Sequence, residues 1–273
     1  MPNYFTHMTF GAMVLRALPE GLRPGPEGAR AAFDLGCLGP DPLFFYHPAV
    51  PNPVRREGLE MHRRSALPAF RRLAAAVAEG LPRVEGYAAG FLCHFALDGA
   101  CHPYVEERAR AGGITHLAME AEFDRLLMAE AGLDTGRPHL PPAPDGAVWT
   151  AMSAAYAHVS PAQAEHAYRA MRRDTGLLAR TCGRGLGRVV DAAALLPPCR
   201  GMRGIALRAR PAPGSVETSA RLRALMEGAA EETAEQLAAF LEAAAHGGAL
   251  SPWLDRDFSG RRCGDMRPEC RTA

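Results

Sequence analysis

Lysine is absent from this chain: all 31 basic side chains are arginine. Set against 30 acidic side chains, they leave a formal net charge of +1. That balance argues against a nucleic-acid binder that works through a broad basic field. With abundant Ala, Gly and Pro, the missing lysine reads as a compositional bias and not as a functional signal. No run of about 18 uninterrupted apolar residues occurs, so no transmembrane helix is expected. The first residues, MPNYFTHMTFGAMVLRALPEG, lack a basic n-region and carry His7 and Arg16, which makes a poor secretory signal. None of the 7 cysteines forms a Cys-x-x-Cys pair. Without a signal, reduced thiols and a cytoplasmic location are expected, with Cys93 and Cys101 packing as small hydrophobes. Alternating β patterns and internal repeats are missing too.

What remains is a globular composition, 48% hydrophobic and 22% charged over 273 residues. A chain of this length buries roughly three quarters of its unfolded surface, enough for one large domain or two small ones. Helical periodicity runs through 8–18, 26–34, 57–80 with a kink at Pro68, 84–101 stopped by Pro103, and 114–131. In the second half it covers 147–157, 161–182, 186–196 and 216–246. Between them lie a loop at 36–53 with five prolines, a Pro/Gly connection at 132–146 and a Pro/Gly/Arg loop at 197–215. The expected fold is all-α, one irregular multi-helix bundle. Residues 1–246 form its helical domain, with chemistry in 2–124 and a helical remainder at 147–246. Residues 247–273 read as an irregular tail.

The chemistry concentrates in GYAAGFLCHFALDGACHPYVEE. His94, Asp98 and His102 stand at i, i+4 and i+8, so one helical face carries all three, a turn apart. Phe91, Leu92, Phe95 and Leu97 around them are apolar. Polar side chains on such a helix must be paired, shifted in protonation or metal-bound. His116 and Glu120 repeat the i, i+4 spacing on the next helix. Asp41 sits in the rigid turn Gly-Pro-Asp-Pro, His62 on the intervening helix and His7 near the N-terminus. Taken singly, a histidine is more often structural, and His94 with Asp98 fits a buried hydrogen-bonded pair as well as a metal site. The whole set is better explained as metal ligands, since imidazole and carboxylate are natural zinc donors. His47, His139, His158, His166 and His246 lack such partners and read as surface or structural. Gly183-Arg184-Gly185-Leu186-Gly187 follows no strand, so it is a weak phosphate loop. The Arg-rich 200–210 segment reads as a solvated loop.

Tyr4-Phe5-Thr6-His7, Leu35-Gly36-Cys37-Leu38-Gly39-Pro40-Asp41, His62, His94–Asp98–His102-Pro103 and His116-x-x-x-Glu120 together resemble the zinc-dependent phospholipase C family. The fungal single-strand-specific zinc nucleases share its fold. The resemblance covers residues 2–124 and implies an all-α protein with three clustered zinc ions that hydrolyses phosphodiester bonds. It implies that Asp41, His62, His94 and Asp98 hold one zinc, and that His102, His116 and Glu120 hold a second. Asp98 bridges to a third, completed by His7 and the first mature residue, which is Pro2 if Met1 is removed. The implied reaction uses a zinc-activated water, with Asp41 both a zinc ligand and the group that orients that water. A phospholipid head group or related phosphodiester is the expected substrate. The alternatives are a nuclease on the same scaffold and a non-catalytic metal-binding protein. Phe44, Phe45 and Tyr46 in the 42–56 loop either contact the substrate or, the favoured reading, pack into the core.

Overall fold

The computed structural model describes residues 4–23, 27–181, 211 and 214–262. Pro2 lies outside the described residues, as do the 183–187 glycine run, the 186–196 helix and the Arg-rich 200–210 segment. Among the described residues there is no strand, only an isolated bridge between Arg256 and Arg262. The helices in chain order are α1 (Tyr4–Ala17), α2 (Glu27–Gly36), α3 (Pro53–Met61), α4 (Leu67–Ala78) and α5 (Val84–Ala111). They continue with α6 (His116–Glu130), α7 (Gly146–Ser153), α8 (Pro161–Thr181) and α9 (Ser215–His246). The architecture is the expected all-α bundle. No described helix is long and apolar enough to cross a membrane.

The central element is α5, which packs against α1, α2, α4, α6, α7 and α9. Nearly every residue from Val84 to Asp98 is buried, because neighbours cover this helix on all sides. Small residues permit that crowding. Gly36 of α2 and Gly90 of α5 meet backbone to backbone, and a Cβ on Gly90 would stand 2.1 Å from the carbonyl oxygen of Phe33. The α2–α5 crossing therefore fixes the loop after α2 against the helix that carries the polar stripe.

Helix α1 begins at Tyr4 and not at residue 8, α7 ends at Ser153 and not at 157, and two further boundaries that differ from the sequence expectation bear on the site. First, α5 does not stop at Pro103 but continues to Ala111. Proline removes the hydrogen bond to the Gly99 carbonyl. That carbonyl is covered instead by Gly260 of the C-terminal segment, whose hypothetical Cβ would come to 2.8 Å from it. Second, 57–80 is not one kinked helix. It breaks at 62–66, and Pro68 lies in the first turn of α4, where its missing N–H costs nothing. The break is a docking point: Ala66 N–H donates to the Arg256 carbonyl (2.9 Å) and Ser65 Oγ donates to Asp255 Oδ1 (2.6 Å).

The described part of the C-terminal segment is irregular but packed. Phe258 is fully buried, with its ring against Phe91, Phe95, His62 and His94. Burying such a ring contributes about 1.5–3 kcal/mol. Cys37, Cys93 and Cys101 are free and buried, and burial pushes all three thiols up, so they pack as inert small hydrophobes.

Candidate metal centre

Four separate chain segments converge on the α5 stripe. His7 belongs to the buried face of α1, which also carries Tyr4, Phe10, Gly11 and Val14 at helical spacing. Asp41 opens a short 3-10 helix (Asp41–Phe45), held between Pro40 and Pro42. His62 caps the C-terminus of α3 at the break described above. His116 and Glu120 come from the first turns of α6, whose N-cap Thr115 accepts from Ala118 N–H at 3.2 Å.

Asp98 lies at the centre of the cluster and is 4% exposed. Its Oδ1 is 3.3 Å from His7 Nε2 and 3.3 Å from His102 Nε2. Its Oδ2 is 3.2 Å from His94 Nε2 and 3.7 Å from His62 Nε2. Asp41 Oδ1 stands 3.3 Å from His62 Nε2 and 4.0 Å from His94 Nε2. On the far side, Glu120 Oε1 is 3.5 Å from His102 Nε2 and 2.9 Å from His116 Nε2. The rings of His7 and His94 stack with centroids 4.0 Å apart.

Backbone carbonyls set the tautomers of two rings. His94 Nδ1 donates to the Cys37 carbonyl (3.1 Å), and His62 Nδ1 donates to the Gly58 carbonyl (2.9 Å). With Nδ1 so engaged, Nε2 is the nitrogen that each ring turns toward the carboxylates, the second-sphere arrangement typical of metal-ligating histidine. His94 Nε2 is buried and has no hydrogen-bond partner.

Electrostatics in the metal-free centre follow from burial opposed by pairing. Burial alone would raise the Asp98 carboxyl, but His102, His94 and His7 together hold it well below the usual carboxylate range. Glu120 behaves likewise, with burial overcome by His116 and His102. Burial pulls His102 down, yet Asp98 and Glu120 outweigh it and push the imidazole up to about 9.

Three groups bring ligand atoms within 4.8 Å of one another: His7, Asp41 and His94; His62, His94 and Asp98; His102, His116 and Glu120. Tetrahedral zinc ligands at about 2.0–2.2 Å from the ion stand about 3.4 Å apart. The 3.2–3.7 Å separations around Asp98 suit co-ligands of a shared ion better than hydrogen bonds. The orphaned His94 Nε2 and the mixed imidazole–carboxylate donor set point the same way, so these residues fit zinc. All eight internal candidates read from the sequence are brought together. His47, His139, His158, His166 and His246 do not join any of these groups. Instead His139 Nε2 bonds the Asp134 carbonyl at 2.7 Å, and the His47 and His166 rings meet at 4.7 Å.

A cleft of about 290 Å³ opens over Asp41, His62, Asp98, His102, His116 and Glu120. Of the aromatic trio only Phe44 lines it, 5.2 Å from the His62 ring, whereas Phe45 and Tyr46 pack against the core. The opposite lip holds Ser259 and Arg261, residues that carry no periodic signal in the sequence. Asp124 was also missed. It is fully buried, one turn beyond Glu120, and accepts from Phe5 N–H (3.2 Å), Thr6 N–H (2.8 Å) and Thr6 Oγ1. It thereby pins the first turn of α1 and sets the place of His7. Its i, i+4 spacing from Glu120 was the available signal.

The model of one family, described as zinc dependent phospholipase C, matches residues 6–177, from the turn that Asp124 clamps to within the last two turns of α8. No curated protein and no solved structure matches the chain. The match spans more than half of the sequence and encloses every clustered imidazole and carboxylate, and on that ground the chain belongs to the zinc-dependent phospholipase C family.

Proposed function

We propose that this chain is a phosphodiester hydrolase that cleaves a phospholipid head group or a closely related small phosphodiester. The observation that carries the reading is the Asp98 carboxylate, shared by four imidazoles at the floor of an open cleft. Buried donors alone would suit a structural metal, but structural sites are closed, and this one faces solvent through Asp41, His62 and His116.

In this reading Asp41, His62, His94 and Asp98 would hold one zinc, and His102, His116 and Glu120 would hold a second. His7, 3.3 Å from Asp98, would serve a third together with the first mature residue. Bound zinc supplies Lewis-acid polarisation of the phosphoryl oxygens and makes water acidic near neutral pH. The chain's own residues do the positioning. Asp98, held well below the usual carboxylate range by its imidazole neighbours, offers acceptor oxygens. Asp41, held by two prolines at the cleft floor, is placed to receive a proton from the attacking water and to aim it at phosphorus. The Cys37 and Gly58 carbonyls keep Nε2 of His94 and His62 free for metal. Phe44 and Phe258 exclude bulk water from one wall.

The test is hydrolysis by zinc-loaded protein of bis-p-nitrophenyl phosphate and of phosphatidylcholine. Diacylglycerol and a phosphorylated head group are the expected lipid products. Protein with its full zinc content that turns over neither substrate, nor single-stranded nucleic acid, is a metal-binding protein and not this enzyme.

A further inference from the structure

We propose that Arg63 and Arg261 form an anion subsite on the lip of the cleft, so that the preferred substrate carries a phosphomonoester on its head group besides the scissile phosphodiester. This rests on the phosphodiesterase reading above and names its substrate class.

The C-terminal loop is built to present Arg261. Asp257 is buried, and its Oδ1 accepts Ser259 N–H (2.9 Å) and Arg261 N–H (3.0 Å). Its Oδ2 accepts Arg261 Nε (2.9 Å), and its own N–H donates to the Arg261 carbonyl (2.9 Å). Ser259 Oγ then ties the loop to α5 by donating to Glu106 Oε1 (2.9 Å). The guanidinium is thus held by one edge while its side chain remains 58% exposed along the cleft. A guanidinium oriented this way keeps its terminal N–H groups for a planar, bidentate contact, the geometry that suits phosphate.

Arg63 follows the ligand His62 directly in the chain and lines the same cleft from the α3–α4 break. It is exposed, and among the described residues no carboxylate lies within ion-pair distance of it. The compensating carboxylates here are Asp257, which pairs with Arg261 at 2.9 Å, and Glu106, which lines the cleft and already accepts from Ser259. The carboxylates of the floor are committed to the imidazoles and to metal. A second negative charge on a bound head group therefore meets the unpaired Arg63 and the free terminal edge of Arg261, whose other edge holds Asp257, with Glu106 engaged by Ser259. A quaternary ammonium finds the reverse: it needs aromatic faces, and among the described residues Phe44 is the one Phe, Tyr or Trp that lines the cleft.

The experiment uses short-chain, monomeric lipids with zinc-loaded protein: phosphatidylinositol phosphate against phosphatidylcholine. The expected kcat/KM ratio favours the phosphorylated head group by about tenfold or more, and R63Q and R261Q each lower that ratio by about tenfold. Inositol bisphosphate, the freed head group, should bind the native protein and bind both variants about tenfold more weakly, by calorimetry. R261K keeps the charge but loses the fork and should recover only part of the preference. A native ratio near one, or variants that keep the native ratio and the native head-group affinity, overturns the subsite. A preference that appears only with anionic vesicles and vanishes with monomeric lipid assigns the arginines to a membrane surface and also overturns it. Loss of turnover on bis-p-nitrophenyl phosphate and both lipids by fully zinc-loaded native protein is the separate failure of the enzyme reading, and the inositol bisphosphate titration still decides the subsite.

Discussion

Gly39→Ala should damage the metal centre from a position that offers it no ligand atom. Gly39 has φ of +53°, and a Cβ there would lie 2.4 Å from Cδ2 and 2.5 Å from Cγ of His94. Left-handed backbone costs a non-glycine residue about 1–2 kcal/mol. The His94 ring has nowhere to retreat: it is 1% exposed, stacked on His7, flanked by Phe258 and bonded to the Cys37 carbonyl. If the loop moves instead, the Tyr156 hydroxyl loses its 3.0 Å bond to the Gly39 carbonyl. Overpacking of this kind costs about 1–3 kcal/mol, and a broken buried hydrogen bond about 1–3 kcal/mol more. With the backbone cost included, the sum of about 3–8 kcal/mol lowers Tm by on the order of 10–20 °C in a chain of this size. Gly80→Ala is the control, because Gly80 shares a positive φ (+69°) but a Cβ there meets nothing within 4 Å. It should show only the backbone cost. Calorimetry of chelator-treated protein and elemental analysis of zinc-loaded protein read the two effects. If Gly39→Ala matches Gly80→Ala in Tm and keeps the native zinc content, the close packing of loop and imidazole is not what positions His94.

Protein purified without chelator should hold more than one zinc per chain, since the clustered donors exceed one tetrahedral set; elemental analysis giving one ion or none rejects this. Asp98→Asn should lose more zinc on dialysis than Glu120→Gln, because Asp98 faces four imidazoles and Glu120 faces two; equal losses contradict a bridging role. Asp124→Ala should release the first turn of α1 and with it His7, so zinc content falls by about one ion while the His102–His116–Glu120 group stays loaded; unchanged content removes Asp124 from the support of the site. In the zinc-free protein His102 is raised from 6.5 to about 9, so the stability its protonated form contributes is complete below pH 6.5 and is lost as pH rises through 9. Zinc needs the unprotonated ring, so apparent zinc affinity should climb over the same window; a flat Tm for zinc-free protein and a flat affinity across it contradict the coupling.

Legibility followed sequence separation. His94, Asp98 and His102 were readable because helical geometry alone places i, i+4 and i+8 on one face, and His116 with Glu120 obeys the same rule. Their apolar surroundings showed that this face is interior, and proline on each side of Asp41 marked a rigid turn. Local rules failed where the outcome depended on distant partners. Pro103 signals a helix end, yet α5 continues because residue 260 covers the Gly99 carbonyl that proline leaves open. The apolar period through 57–80 predicts one helix, yet it breaks at 62–66, where Asp255 and Arg256 dock, and the break sets His62 in the site. Asp124 clamps a turn 118 residues away, and the cleft's arginine lip hangs from a loop with no helical or strand period at all. The sequence by itself determined the all-α class and the helical donors of the candidate metal centre, His94, Asp98, His102, His116 and Glu120, because both follow from helical repeat and side-chain chemistry. Only the tertiary structure decided which carboxylate is shared, which nitrogen each ring presents and what charge the cleft shows a substrate, because these depend on backbone groups and loops that meet only when the chain is packed.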